Sequence, residues 1–452
     1  MDTYDIAVIG MGPGGEHVAG TLAERGLRVL GVDNRLVGGE CPYWGCVPSK
    51  MMIRAADALA EARRIPGLAG SVADVRPDFS VVARRIRDEA TDDWDDATAV
   101  KRFTDKGGVF VRGTGRLKSR EHLEVDGAAY AVTRGIVVNT GSAPAVPPIP
   151  GLRDVPYWTN HEVMEARELP GSVIVLGGGA ISCEMAQVMS RFGSRVTVVE
   201  AAERLLPSEE PEAGARLAEV FDHEGIEVHV GAQASQVAAA GDAVVVTLGD
   251  GTELRADRLV VATGRRADPE AVGLHTVGVD PSARVVPTDE WCRVADGVWA
   301  VGDITGKGAF THMSMYQAGI VIRDILGEEG PAADYRAVPR VTFTDPEIGS
   351  VGLSERAARD SLAHVRVGTV PIPSTSRGWI HKVGNEGLIK VIADADRGIL
   401  VGALAMGPAG GEILGALTVA VRAAVPIDTL RETIWAYPTF HRGIGDALAA
   451  LA

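Results

Sequence analysis

Gly38-Gly39-Glu40-Cys41-Pro42-Tyr43-Trp44-Gly45-Cys46-Val47-Pro48-Ser49-Lys50 sets two cysteines five positions apart, with glycines before them and Pro-Ser-Lys after. Met51 to Arg64 follows, rich in Ala, Met, Glu and Arg, and reads as a helix. Cys46 therefore sits just ahead of a helix N-terminus. The free N–H groups and dipole there favour a thiolate, and lower a thiol pKa from ~8.5 into roughly the 3.5–7.5 range. One activated thiol beside a partner makes a redox-active dithiol rather than a brace. A zinc site needs four ligands, whereas Cys183 and Cys292 stand alone, so no metal is expected.

Upstream, Tyr4 to Ile9 is an apolar run of the kind that forms a buried parallel strand. Gly10-Met11-Gly12-Pro13-Gly14-Gly15 follows, then a helix from about Glu16 to Arg25 and a strand, Arg28 to Val32, ending in Asp33. This is the strand, glycine turn, helix, strand and acid of a dinucleotide fold. Gly10 permits the tight turn, Gly12 lets the backbone approach a pyrophosphate, and Gly15 lets helix and strand pack closely. Asp33 is placed to accept from a ribose.

The unit repeats. Val173 to Leu176 is a strand, Gly177-Gly178-Gly179-Ala180-Ile181-Ser182 the turn, Cys183 to Phe192 a helix, and Arg195 to Val199 a strand ending in Glu200. Ser182 replaces the third glycine. Glu200 suits a ribose diol and repels a 2′-phosphate, which favours NADH over NADPH, with Arg204 nearby as a partial offset. Two nucleotide sites in one chain suggest electron transfer between two cofactors.

Between and beyond these units the pattern is coarser. Residues 51–105 look largely helical, with Asp88 to Asp96 read as a solvated acidic face, and Val109 to Val132 reads as a small antiparallel sheet. Strands are expected at Ile136 to Asn139 and Leu259 to Ala262, a hairpin turn at Asp250-Gly251, and a helix from Met313 to Leu326. His312 is read as structural. Alternating strands occupy about 365 to 406, with helices to the end.

The Gly-Gly-x-Cys-x-x-x-x-Cys-x-Pro-Ser-Lys stretch, with the motifs around it, resembles the pyridine nucleotide–disulfide oxidoreductases. Further resemblances lie at Thr140-Gly141, at Thr263-Gly264-Arg265-Arg266, at Gly297 to Asp303, and at Pro339 to Glu347, along the whole chain. The resemblance implies an α/β chain with two Rossmann-like dinucleotide-binding domains, for FAD and NAD(P), plus an α+β C-terminal dimerisation domain. The implied boundaries are 1–150 for the first FAD part, 151–265 for the NAD(P) domain, 266–335 for the second FAD part and 336–452 for the dimerisation domain. It assigns Gly10, Gly12, Gly15, Asp33, Gly39, Lys50, Thr140, Gly141 and Asp303 to FAD, and Gly177, Gly179, Glu200 and Gly264 to nucleotide binding. It implies a relay from nicotinamide through flavin to a Cys41–Cys46 disulfide, with Cys46 facing flavin and Cys41 meeting the outside substrate. Lys50 and Glu184 match the family's Lys and Glu that pair beside the flavin. A homodimer is implied, each subunit completing its partner's site.

The C-terminus departs from the pattern. The disulfide reductases carry His-Pro-Thr followed by Ser-Glu, whereas this chain reads Tyr437-Pro438-Thr439-Phe440-His441-Arg442. Tyrosine, with a pKa of ~10, is a poor base near neutrality, and loss of a general base typically costs roughly 10²–10⁴ in rate. His441 is the nearest substitute, and Arg442 and Arg377 are candidates for an anionic substrate. Three readings stand open: an NADH-dependent disulfide reductase with an unusual small-molecule acceptor, a dithiol oxidase passing electrons to oxygen with a vestigial nucleotide site, and a diaphorase reducing quinones.

Composition narrows the partners. The 452 residues carry a net charge of −15, which disfavours nucleic acid and anionic membranes. No apolar run is long enough to span a bilayer, and a strand starts almost at once, which leaves no room for a leader. A cytoplasmic enzyme is the expectation.

Overall fold

The structure is a computed structural model that describes residues 2–452. Its chain divides into two compact units, Met1–Pro48 with Arg84–Ala145 and Arg265–Tyr335, and Ser49–Ala83 with Val146–Gly264 and Arg336–Ala452.

The first unit is built on one twisted sheet. Val109–Arg112, Val29–Asp33, Asp2–Ile9, Ala128–Val138 and Val298–Ala300 run parallel in that order, and Arg293–Ala295 closes one edge antiparallel. Both faces are covered. Ile6 and Val8 enter one apolar cluster with Val18, Leu22, Ala318 and Val321, while Ala7 and Ile9 enter another with Ile136, Val138, Leu274 and Ala300. Alternate residues of one strand feeding two cores explains why the strand reads as a continuous apolar run. The helices Pro13–Glu24 and Thr311–Leu326 pack so closely that a Cβ on Gly14 would lie 2.0 Å from the Ser314 hydroxyl.

Two local expectations are corrected here. Val109–Arg112 is a parallel strand beside Val29–Asp33, because the helix Ala97–Asp105 serves as a crossover; only Gly115–Ser119, His122–Val125 and the start of Ala128–Val138 form the antiparallel meander. The Asp88–Asp96 stretch is not a solvated helix face throughout. A π-helical turn, Ile86–Ala90, gives way to a left-handed turn at Asp92, Asp93 and Trp94, and Asp96 is buried.

The second unit repeats the nucleotide-binding plan. Glu227–His229, Arg195–Val199, Ser172–Leu176, Arg258–Val261 and Tyr157–Trp158 form a parallel sheet, with a three-stranded antiparallel sheet, Ala234–Ala240, Ala243–Leu248 and Glu253–Ala256, beside it in sequence. The C-terminal part is an antiparallel sheet in the order Pro339–Thr342, Glu347–Gly352, Ile399–Gly407, Leu388–Asp394 and Val365–Pro371. Helices Gly410–Arg422 and Arg442–Ala449 share its apolar core through Ile413, Leu417, Ile444 and Leu448.

Residues 49–83 group with this unit because the long helix Cys46–Arg64 is tied into it by charge. Arg191, almost fully buried, pairs with Asp57 at 2.7 Å, Glu224 at 2.6 Å and Asp345 at 2.7 Å, and Arg64 reaches Asp345 at 2.7 Å. Within strand Leu388–Asp394, Lys390 is 2% exposed and its ammonium meets Glu210, Glu212 and Glu355 at 2.6, 2.8 and 2.8 Å. These carboxylates cluster as a cation site would, and the lysine fills it.

Candidate active site

In the first unit the glycine turn is held by its own acid. Asp33 accepts from the Met11 N–H at 2.7 Å through one oxygen and from the Arg35 N–H at 2.7 Å through the other. Burial pushes its carboxyl above the usual range, and the Arg35 and Met11 N–H groups pull it back. Gly10 has φ +92, and a Cβ there would lie 2.3 Å from the Asn139 carbonyl oxygen. Gly15 is as confined, its added Cβ falling 2.0 Å from Gly10 O. Gly12 and Gly39 face each other, since a Cβ on Gly39 would stand 2.8 Å from Gly12 Cα. The helix that starts at Pro13 has no side-chain cap, so its first N–H groups remain for a phosphate. Each Asp33 oxygen retains a lone pair for a ribose hydroxyl. These residues fit the FAD pyrophosphate and ribose.

At the other end of the same unit Asp303 accepts from the Ser142 hydroxyl at 2.5 Å, just after Thr140 and Gly141. Arg265 donates to the Ser142 hydroxyl at 2.8 Å and to its carbonyl at 2.6 Å, and lies 3.5 Å from Glu40. Arg265 had no assigned role in the sequence. Its signal was only its place after Thr263-Gly264, and Gly264 itself, at φ +126, ends a segment of the second unit.

The cysteines lie near the N-terminal ends of two successive helices, one short and one long. Cys41 is in the one-turn helix Glu40–Tyr43, and Cys46 is the first residue of Cys46–Arg64. No disulfide joins them, Cys46 is exposed and Cys41 is partly buried. Thr311, first residue of its helix, brings its hydroxyl to 3.3 Å from the Cys46 sulfur. The Cys41 thiol hydrogen-bonds to Cys46, and that bond, with burial, pushes its pKa well above the ordinary cysteine value. Cys41 therefore keeps its proton while the helix terminus serves Cys46. His312 stacks on Phe310 with ring centroids 5.1 Å apart.

The second unit repeats the acid-and-turn device at the same spacing. Glu200 accepts from the Gly178 N–H and from the Ala202 N–H, the latter at 2.6 Å. Gly177, at φ +107, would place a Cβ 2.5 Å from Ala262 O, and Ser182 donates to that same carbonyl at 3.1 Å. Serine thus preserves the close helix–strand contact by bonding across it. Gly179 opens the helix Ala180–Arg191 without a side-chain cap, and nothing lies within 4 Å of its missing Cβ. The turn fits a dinucleotide. Arg204 turns away from this role, donating to the carbonyls of Pro207 at 2.8 Å and Glu209 at 3.1 Å.

Lys50 and Glu184 form an ion pair of 2.9 Å in this unit, with Glu184 almost buried. The other Glu184 oxygen accepts from the Phe343 N–H at 2.8 Å, and the Phe343 ring lies 4.5 Å from the Lys50 nitrogen. Phe343 thus holds both partners, a role that its sequence position did not reveal. Tyr437 stands in the loop before the last helix and is 73% exposed. His441 follows at the start of that helix, while Arg442 is committed to Asp446 at 2.7 Å. Arg377 lies over the Phe440 ring at 5.5 Å.

Comparison with known proteins bears out the family resemblance. Residues 4–318 match the family described as pyridine nucleotide-disulphide oxidoreductase, and residues 338–448 match its dimerisation domain. The dihydrolipoyl dehydrogenase of Thermus scotoductus is 32% identical over 100% of this chain and 98% of its own length. The mercuric reductase of Streptomyces lividans is 34% identical, covering 98% and 94% respectively. Among solved structures, the HOCl-induced flavoprotein disulfide reductase RclA from Escherichia coli is 27% identical with a TM-score of 0.86, covering 99% of both chains. Its Cu(II) complex is also 27% identical, with a TM-score of 0.87.

Proposed function

The chain belongs to the pyridine nucleotide-disulphide oxidoreductase family, and we propose that its Cys41–Cys46 pair delivers electrons from NADH to a small external disulfide. The chain is a flavin-dependent oxidoreductase of this family, which uses FAD and NAD(P)H, and its dimerisation domain supports a homodimer. The observation that supports the finer reading is the thiol pair itself: Cys46 exposed and 3.3 Å from the Thr311 hydroxyl, with Cys41 hydrogen-bonded to it.

When bound, FAD supplies two-electron chemistry between a nicotinamide hydride and sulfur. The residues of the chain do the rest. Glu200 selects a free ribose diol, because a 2′-phosphate would stand against its carboxylate while Arg204 is spent on turn carbonyls. Lys50, fixed by Glu184 and Phe343, presents a positive charge one helical turn beyond Cys46. Cys41, once deprotonated, attacks one sulfur of the acceptor disulfide, forming a mixed disulfide and releasing a thiolate that takes up a proton. Cys46 then attacks the Cys41 sulfur, closing the Cys41–Cys46 disulfide and releasing the second thiolate. Two electrons have passed to the acceptor, and NADH restores the dithiol. By the family resemblance Tyr437 and His441 would serve the partner subunit's site as proton-transfer groups, and tyrosine, a poor base near neutrality, would make that transfer slow.

Two adjacent thiols also suit a thiophilic metal ion as the acceptor, and the mercuric reductases and Cu(II)-bound RclA among the similar proteins favour this as the second reading. An anaerobic titration of the purified holoenzyme with NADH, and separately with dithiothreitol, followed by air, separates the possibilities. Reduction by NADH, thiols appearing at Cys41 and Cys46, and slow reaction with air support the reductase. Reduction by dithiothreitol alone with rapid reoxidation in air would replace it by a dithiol oxidase. Quinone reduction that survives Cys41→Ser would make it a diaphorase.

A further inference from the structure

The loop that carries both cysteines is closed into a ring of hydrogen bonds by a segment outside it. The Trp94 indole N–H donates to the Tyr43 carbonyl at 3.3 Å, and the Tyr43 hydroxyl donates to the Val37 carbonyl at 3.2 Å. The Val37 N–H donates to Asp96 at 2.6 Å, two residues on from Trp94. Tyr43 and Asp96 are buried, and Arg112 donates to the same Asp96 oxygen that accepts from the Val37 N–H. Tyr43 lies between the two cysteines in the chain.

The turn that aims Trp94 is conformationally unusual. Asp92, Asp93 and Trp94 have φ of 49°, 54° and 59°, three successive left-handed residues with no glycine among them. Aspartate tolerates that region, but a bulky aromatic there is an outlier. The surroundings enforce it: Thr91, 1% exposed, donates to the carbonyls of Ile86 and Arg87 at 3.1 and 3.2 Å, and the Asp93 N–H donates to the Arg87 carbonyl at 2.8 Å. Such strain persists where the fold over-determines it, and it is found beside functional sites.

We infer that Trp94 is a positioning residue for the dithiol, its indole holding the Cys41–Cys46 loop at the spacing from which a disulfide closes. This rests on the reading of Cys41 and Cys46 as the redox pair. In the couple, disulfide plus two electrons and two protons gives the dithiol, with dithiothreitol as the exchanging reductant. A loop held by the ring has fewer conformations to lose on closing the disulfide, so the ring favours the oxidised form. By reciprocity the disulfide tightens the ring.

The test equilibrates the holoenzyme anaerobically with defined mixtures of reduced and oxidised dithiothreitol, then traps thiols with a mass-tagged maleimide. Trp94→Phe, which keeps a ring and removes the donor, is expected to move the equilibrium about three- to tenfold toward the dithiol, tenfold being about 30 mV for this two-electron couple. Tyr43→Phe opens the ring at its other joint and is expected to move it the same way. A merely structural role would lower thermal stability and leave the equilibrium where it is. In the unaltered protein the Val37 amide is expected to exchange hydrogen more slowly in the disulfide form, and this readout stands even where a variant fails to fold. An unchanged equilibrium in both folded variants, or equal Val37 exchange in the two forms, overturns the inference. A wild-type protein without any reversible Cys41–Cys46 couple overturns the redox reading beneath it.

Discussion

The Lys50 ammonium lies 2.9 Å from one oxygen of Glu184, and the other oxygen takes the N–H of Phe343, whose ring faces the same ammonium. Removing one partner frees the other. Glu184→Gln keeps the shape and loses the charge, so Lys50 loses its fixed direction. We expect the rate of flavin reduction by NADH to fall roughly 10²-fold, the scale of a misplaced group, with flavin content unchanged. Stopped-flow traces of Glu184→Gln and Lys50→Met test this, and wild-type rates in both would remove the pair from the reaction.

Cys41 holds its proton more tightly than an ordinary cysteine because it hydrogen-bonds to Cys46 and is partly buried. A raised thiol pKa means less thiolate at a given pH. Its alkylation by iodoacetamide is therefore expected to rise about tenfold per pH unit from pH 7 to 9 without levelling off. Cys46→Ala removes the bond that raises it, and Cys41 reactivity at pH 7 should increase. A plateau below pH 8 in the wild-type protein would contradict the assignment.

Glu200 and the sequestered Arg204 make a prediction about the nucleotide. The ratio of kcat/KM for NADH over NADPH should exceed about tenfold, a like-charge clash of ~1.4 kcal/mol or more. Glu200→Ala should shrink that ratio. Equal use of both nucleotides by the wild type would show that a different group reads the ribose.

Lys390 is a stability residue. Lys390→Met leaves Glu210, almost fully buried, without its cation, while Glu355 keeps Arg359 at 2.8 Å. Breaking such a cluster by removing one partner costs about 3–5 kcal/mol, measured as a lowered denaturant midpoint. Loss of under about 1 kcal/mol would mean that the carboxylates protonate or find water instead.

Tyr437 stands exposed in the position where a base is expected. Tyr437→His should raise kcat/KM for oxidised lipoamide at least about tenfold, within the range a general base contributes. No gain would show that proton transfer at this position does not limit turnover.

The glycine turns, their acids and the Cys-x-x-x-x-Cys stretch were legible because each works through its own neighbours in the chain. Gly10 needs a positive φ, and Asp33 and Glu200 each bond a backbone N–H 22 positions back, a spacing that the strand–turn–helix unit itself imposes. The fold class followed from two such units, and the family match bears it out. The acidic run at Asp88 to Asp96 misled, since composition marks a solvated surface and carries no sign that Asp96 is buried against Val37 and Arg112. Arg265 and Phe343 were missed because their roles rest on partners far along the chain.

By itself, then, the sequence determined the two nucleotide-binding units, the candidate dithiol and the departure at Tyr437 from the His-Pro-Thr pattern, all of them properties of short stretches. Only the tertiary structure decided that Glu184 meets Lys50 across 134 positions, that Lys390 sinks among three carboxylates, and that a left-handed turn reaches the loop between Cys41 and Cys46. Those outcomes depend on burial and on which distant groups satisfy each polar atom, and local periodicity records neither.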